Sequence, residues 1–329
     1  MSRQETVFQE VPETAAGERS VALGELRAAG RNQLISLVLA MRPRQWLKNG
    51  LVFVALIFSI ERSWSLSEPD EWWPLVWRAC AAFAIFCAIS AAGYLINDIK
   101  DLEADRVHPT KSQRPLASGT LNLNLAAAAA AVLSLTALAG GYLINIEFGT
   151  IAMGYFALTL AYSYYLKHIV LLDLMAVAAG FVLRTLAGAL AIDVPISPWL
   201  YLCTLLGALF LVINKRRTEL VMLDDTAVRH RPILGDYSVA LIDQMSAVVT
   251  AATILAYSLY TFSADTLPDN DAMAFTIPFV IYGLFRYLYL VHRHELGGSP
   301  EEVLYRDRPM ALNIAAWLLV SAAILAIYR

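Results

Sequence analysis

The residue types that could do chemistry concentrate in one stretch, NDIKDLEADRVHPTKSQRPLASG, from Asn97 to Gly119. Asn97, Asp101 and Asp105 recur at i, i+4 and i+8, and Asp98 precedes Asp101 and Asp105 by three and seven residues. On a helix these groups share a face. Carboxylates on one stripe repel one another unless a cation sits among them. Mg²⁺ takes hard oxygen ligands, usually a few carboxylates plus phosphate oxygens and water, so Asn97, Asp98, Asp101 and Asp105 form a candidate metal-binding set. Lys100, Arg106, Lys111 and Arg114 are interleaved with the acids. That mixture suits a metal-bound polyphosphate.

Three further groups are candidates. In MRPRQWLKN, Met41 to Asn49, Pro43 suits the first turn of a helix and Arg42 reads as the basic anchor of a first span. Lys48 lies one turn deeper, with Gln45 three residues before it, so the two would turn a polar face into the bundle. In YSYYLKHIVLLD, which contains Tyr162, Lys167 and Asp173, and in the following FVLRTLAGA, Asp173 and Arg184 are eleven residues apart. That is about 16 Å along a helix, so they cannot pair with one another and each needs another partner. An intramembrane arginine is either a functional group or a staple bonded to carbonyls. In NKRRTELVMLDD, Asn214 to Asp225, the bases Lys215, Arg216 and Arg217 precede a looser acidic cluster of Glu219, Asp224 and Asp225. A two-metal arrangement would recruit Glu219 and Asp224.

These groups must be positioned by an apolar scaffold. The chain has 329 residues, 58% hydrophobic and 16% charged, whereas soluble domains are about 45–50% apolar and about 25% charged. Repeated apolar runs make it an all-α, polytopic membrane bundle of about nine transmembrane helices. The expected spans are Gln45–Ile60, Trp77–Ile96, Asn124–Ile144, Phe148–Leu166, Ile169–Ala191, Trp199–Ile213, Ile242–Phe262, Met273–Val291 and Pro309–Tyr328. Alternate connections hold nearly all the lysine and arginine, which places the N-terminus and the long polar loops in the cytoplasm. The catalytic groups then face the cytoplasm from the plasma (inner) membrane.

Residues 1–32 read as a disordered or interfacial tail, and 33–329 as one transmembrane catalytic domain. Within the tail, Ser20 to Met41 could lie on the membrane as an amphipathic helix, with Arg27 and Arg31 outward and Leu34 to Leu39 in lipid, or extend the first span. No apolar leader core is evident near the N-terminus. Cys80, Cys87 and Cys203 sit in apolar runs and read as small buried hydrophobes. The five histidines show no zinc spacing. Near the last span, Arg306, Asp307 and Arg308 read as an ion-paired interfacial loop. A transporter would carry polar groups through mid-membrane and matched broken helices; this sequence has no obvious internal repeat. Nucleic acid is not an expected partner, and homo-oligomerisation is left open.

NDxxDxxxD followed by RPLASG on the second span resembles the UbiA prenyltransferase superfamily. MRPRQWLKN, HPTK, LKHIVLLD with VLRTLAGA, NKRRTEL and PEEVLYRDR together resemble its decaprenyl-phosphate phosphoribosyltransferase branch. The resemblance implies Mg²⁺-dependent transfer of 5-phosphoribose from phosphoribosyl pyrophosphate to a membrane polyprenyl phosphate, with release of pyrophosphate, for cell-envelope synthesis. On that reading Asp98, Asp101, Asp105 and Lys48 are catalytic. Gln45, Lys48, Asn97, Arg106, Lys111, Arg114, Tyr162, Lys167, Asp173, Arg184, Lys215 and Arg216 bind substrates. The alternative implied is prenyl transfer from a polyprenyl diphosphate to an aromatic or other small acceptor. The superfamily usually carries a second well-formed acidic motif after the sixth span. Here that loop is basic at Lys215–Arg217, which puts a second metal in doubt and favours the phosphate-rich donor.

Overall fold

Helices occupy each apolar run, and their ends fall where Pro, Asn or Ser can start them. The computed structural model describes residues 32–61, 63–195, 197–223, 232–264, 267–268, 270–294, 303 and 306–328. Helix α1 covers residues 32–40, and a 3₁₀ helix at Pro43–Phe53 continues into α2, Val54–Phe58. Then follow α3 (Pro69–Lys100), α4 (Leu102–Arg106), α5 (Leu123–Ile144), α6 (Ile146–Tyr164), α7 (Leu172–Ile192), α8 (Pro198–Leu223), α9 (Val239–Ser263), α10 (Ile277–His294) and α11 (Arg308–Tyr328). Among the described residues seven helices are long and apolar enough to cross a membrane: α3, α5, α7, α8, α9, α10 and α11. The other two expected spans are also helical, as α6 and as the 3₁₀ segment with α2. The chain is a multi-pass membrane protein.

Neighbours in sequence pack as neighbours in space, from α5 against α6 to α10 against α11, and α2 touches both α3 and α11 to close the bundle. Helices α3 and α7 are the inner pair. Their spans are 56% and 61% buried, against 17% to 28% for the other five. They enclose a core of Val52, Phe86, Ile89, Phe148, Ala152, Tyr155, Ala187 and Ala191. The groups of chemical interest, Asp98 on α3 and Asp173 and Arg184 on α7, therefore sit on the two most enclosed helices.

Three boundaries depart from expectation, and all bear on the site. Helix α8 runs to Leu223, ten residues past the expected Ile213, so Lys215, Arg216 and Arg217, expected in a loop, are helical. The first expected span is largely a 3₁₀ helix rather than an α-helix. Eleven residues is long for that geometry, whose runs rarely exceed three or four. The segment is wedged between α3 and α7, and a Cβ at Gly188 of α7 would lie 2.1 Å from the Val52 carbonyl oxygen. Only glycine permits that approach. The second expected span begins at Pro69, well before Trp77, and runs 32 residues. At 1.5 Å per residue this is about 48 Å, longer than a hydrocarbon core of about 30 Å. The helix is therefore longer than the layer it crosses, and Asn97 and Asp98 lie in its last turn. At its other end Trp72, Trp73 and Trp77 form an edge-to-face ladder, as suits a membrane interface.

Of the expected tail, residues 1–31 lie outside the described residues. Helix α1 buries Ala40 and packs Leu37 and Met41 against Leu95, Leu116, Leu121 and Ala126. Its other face exposes Leu34, Ile35, Val38 and Leu39. Both sides of this helix are thus largely apolar, one against the bundle and one outward, and the basic side expected from Arg27 and Arg31 lies outside the described residues.

Candidate active site

The acidic stripe bends. Helix α3 ends at Lys100, Asp101 adopts φ −89° and ψ 9°, and α4 resumes at Leu102. The backbone register survives the bend, because Asp101 N–H donates to Asn97 O at 2.9 Å and Asp105 N–H to Asp101 O at 2.8 Å. Asp98 and Asp105 are each 3% exposed, and Asp101 is half-buried.

Each carboxylate is met by a cation. Arg42 and Arg114 both donate to Asp98 Oδ1, Arg114 Nη1 from 3.2 Å. The same Nη1 reaches Asp105 Oδ2 at 2.5 Å. Lys167 Nζ lies 3.1 and 2.9 Å from the two oxygens of Asp101. Arg114 is delivered by the turn after α4, which Gly119 closes with φ 78°, a left-handed conformation that suits glycine. Lys167 comes from the short turn between α6 and α7. Arg42 comes from the reversal between α1 and the 3₁₀ segment, with φ 55° and ψ 63°, and its guanidinium also covers the Tyr94 ring at 4.9 Å.

Two further buried networks join the helices. Arg184 donates through Nε to Asn49 Oδ1 at 2.7 Å, through Nη1 to Gly180 O at 2.8 Å and through Nη2 to Tyr155 Oη at 2.5 Å. Asn49 in turn donates to Cys87 Sγ at 3.3 Å and accepts from Ser90 at 3.4 Å. Arg184 thus ties α7 to the 3₁₀ segment and α6. The second network centres on Asp173, fully buried, which accepts from Arg216 Nε at 2.9 Å and from Tyr237 Oη at 2.8 Å. Arg216 also donates to Glu219 at 2.8 Å and to Tyr162 Oη at 3.4 Å. Tyr237 accepts the N–H of Leu171, a residue at φ 64°. Burial, with the hydrogen bond to Asp173, pushes the Tyr237 phenol up to about 12, so it stays a donor at neutral pH. Asp173 and Arg184 have separate partners, as their spacing requires.

The remaining expected residues are dispersed. Lys48 Nζ donates to Gln45 at 2.5 Å on the 3₁₀ segment. Arg106 pairs with exposed Glu103 at 2.7 Å. Lys111 is half-buried, its N–H donating to His108 Nδ1 at 3.2 Å. Asn97 and Lys215 are half-buried. Lys100 leaves the stripe, donating to Ser163 O at 2.6 Å and covering the Tyr164 ring. Cys87 is buried, whereas Cys80 and Cys203 are only partly so. Asp224 lies outside the described residues.

Several participants were not singled out as site residues in the sequence. Arg42 resembled a membrane anchor, and only the turn behind it brings it to Asp98. Asn49, Tyr155 and Tyr237 have no spacing that marks them as site residues. Arg286 on α10 bonds Asp307 at 3.2 and 2.7 Å, a partner that the expected pairing with Arg306 and Arg308 did not include. Asp307 also accepts the Met310 N–H at 2.8 Å and so starts α11.

The donors at the acidic cluster are hard oxygens. Among the described residues no group of three or more His, Cys, Asp or Glu converges as a metal cage. Such an incomplete set fits Mg²⁺, which uses one or two carboxylates and fills its octahedron with water and substrate phosphate.

A model of the UbiA prenyltransferase family matches residues 51–302. The decaprenyl-phosphate phosphoribosyltransferase of Mycolicibacterium smegmatis is 33% identical over 297 residues, 88% of this chain and 92% of its own length. Its namesake from Corynebacterium glutamicum is 30% identical over 308 residues, 92% of this chain and 90% of its own. Among solved structures, a UbiA homolog from Archaeoglobus fulgidus bound to GPP and Mg²⁺ superposes with a TM-score of 0.66 at 19% identity, covering 89% of this chain and 100% of that one. The superposition shows the fold; the family model's match over most of the chain, with relatives 30% and 33% identical along nearly their whole length, makes this chain a membrane-embedded transferase that belongs to the UbiA prenyltransferase family.

Proposed function

We propose that this protein transfers 5-phosphoribose from phosphoribosyl pyrophosphate to a membrane polyprenyl phosphate of the decaprenyl type, releasing pyrophosphate on the cytoplasmic face. One observation carries the reading: relatives matched over about nine-tenths of both chains bear the name decaprenyl-phosphate phosphoribosyltransferase. The site's chemistry supports it, because cations outnumber what a simple acidic metal motif requires.

Residues 33–329 act as one catalytic domain. Asp98, Asp101 and Asp105, with Asn97, would hold Mg²⁺, whose charge when bound stabilises pyrophosphate as a leaving group. Arg114 and Lys167 already stand against the carboxylates, where they would bind the donor's phosphates. Lys48 and Lys111 would take the remaining phosphate oxygens, and their charge keeps the donor and acceptor phosphates from repelling each other. The new bond joins an acceptor phosphate oxygen to the anomeric carbon as the bond from that carbon to pyrophosphate breaks. A phosphate monoester with a second pKa of about 6 is mostly ionised at neutral pH, so the chain need not supply a general base. Asp173 and Arg216 hold α7 and α8 together beside the site.

The lipid tail has a place to lie. Leu171, Leu174, Met175, Leu209, Ile213 and Val248 help to line an apolar groove of about 500 Å³ between α7, α8 and α9. Leu171 on its wall donates its N–H to Tyr237 Oη at 2.8 Å, and Leu174 directly follows Asp173 in the chain. Purified protein supplied with Mg²⁺, labelled phosphoribosyl pyrophosphate and a polyprenyl phosphate should yield a labelled, lipid-extractable product. Failure with every chain length, together with product from a polyprenyl diphosphate and a small acceptor, would replace this reading with prenyl transfer.

A further inference from the structure

Asp98, Asp101 and Asp105 contribute three negative charges, and Arg42, Arg114 and Lys167 contribute three positive ones, all within hydrogen-bonding distance. These carboxylates and the cations that meet them balance as they stand, and Lys100, which also feels Asp101 and Lys167, is turned away to Ser163 O at 2.6 Å. Two of the acids are almost wholly buried, where an unbalanced charge is costly. A divalent cation added alone would leave an excess of +2 in this enclosed place. A phosphate added alone would leave an excess of about −1.5 to −2 at pH 7. Added together, the two nearly cancel.

We infer that Arg42 and Arg114 are exchangeable counter-ions. They hold the carboxylates when the site is empty and turn to the phosphate when a divalent cation takes the carboxylates. Cation and phosphate then bind only as a pair. Arg42 is the better placed to move. The two side chains are similarly exposed, 28% and 26%, but Arg114 bridges Asp98 and Asp105, whereas Arg42 pairs, among the acids of the described residues, with Asp98. Its backbone is left-handed and directly precedes Pro43, a conformation that β-carbon-bearing residues seldom adopt. Such a turn persists when its surroundings hold it. Here backbone bonds do so, Arg42 N–H to Leu39 O at 3.1 Å and Gln45 N–H to Arg42 O at 2.9 Å, so losing the carboxylate frees the side chain to swing about a reversal that stays formed.

This inference rests on reading the site as one that binds metal and phosphate. The test uses the full-length protein in detergent, with Mn²⁺ and inorganic pyrophosphate as probes and binding measured by calorimetry. Wild type should bind Mn²⁺ about tenfold more tightly when pyrophosphate is present, and pyrophosphate should gain the same factor from Mn²⁺, as linkage requires. Arg42→Gln removes the competing charge but keeps an amide donor for Asp98. It should bind Mn²⁺ alone about fivefold to tenfold more tightly than wild type and lose most of the pyrophosphate effect. A purely structural arginine would not improve metal affinity when removed. Arg42→Gln binding Mn²⁺ no more tightly than wild type would overturn the inference. If that variant cannot be purified, the wild-type coupling decides alone, and independent binding of the two probes overturns it. The transferase assay separates the two claims: coupling without phosphoribosyl transfer rejects the proposed reaction and keeps the counter-ion exchange, while transfer without coupling does the reverse.

Discussion

Asp98 and Asp101 differ in what their loss should cost. The Asp101 side chain is 28% exposed and pairs with Lys167, itself 18% exposed, so Asp101→Asn leaves little buried charge behind. We expect turnover to fall on the order of 10²-fold or more while the melting temperature stays within a few degrees of wild type. A variant with wild-type turnover would place the metal elsewhere. Asp98→Asn should also abolish turnover. Asp173 behaves differently because its partner Arg216 is as deeply buried as it is. Asp173→Ala leaves Arg216 with Glu219 at 2.8 Å as its remaining carboxylate and takes the acceptor from the Tyr237 hydroxyl, which should cost about 1–3 kcal/mol of stability, read as a drop in thermal unfolding temperature in detergent. The acidic residues were legible in the sequence because their spacing is local and periodic. Arg42 was not, because its partner lies 56 positions away and the left-handed turn that aims it leaves no pattern in the residues around it.

At the scale of elements, the 3₁₀ segment is the part on which the site's geometry depends. It carries Gln45, Lys48 and Asn49 and is pinned at two points of α7: Arg184 bonds Asn49, and Gly188 meets the Val52 backbone. A methyl group at Gly188 must push the two backbones apart. Gly188→Ala is therefore expected to destabilise by about 1–3 kcal/mol and to lower turnover more than an alanine at Gly207, which has open space around it. Equal and negligible effects at both positions would mean that the segment is not held from α7. The helical bundle was legible because apolar runs of membrane length admit little else. The 3₁₀ geometry was not, since it arises from tertiary crowding that hydropathy does not report. The bend at Asp101 was hidden for the same reason: the i, i+4 pattern continues through it.

At the scale of the molecule, the proposed orientation, drawn from where the basic residues lie, makes a prediction for each connection. Val107, 85% exposed after α4, should face the cytoplasm, and Glu147, exposed at the start of α6, should face out. Val107→Cys should react with an impermeant maleimide only in inverted vesicles, and Glu147→Cys only in intact cells. The opposite labelling would turn the whole bundle over and put the donor site where phosphoribosyl pyrophosphate is absent.

The groove between α7, α8 and α9 has a consequence of its own. Leu171, Met175, Leu241 and Val248 on its walls are 50%, 46%, 41% and 69% exposed, so it is a channel open along the flank, with no floor at which a hydrocarbon chain must stop. A tail lying there would be gripped over its first units and would run on into the bilayer. Such an enzyme has no ruler. Acceptors that differ by several isoprene units should then be used with similar kcat/KM, and the selection of one lipid in the cell would reflect which phosphate the membrane supplies.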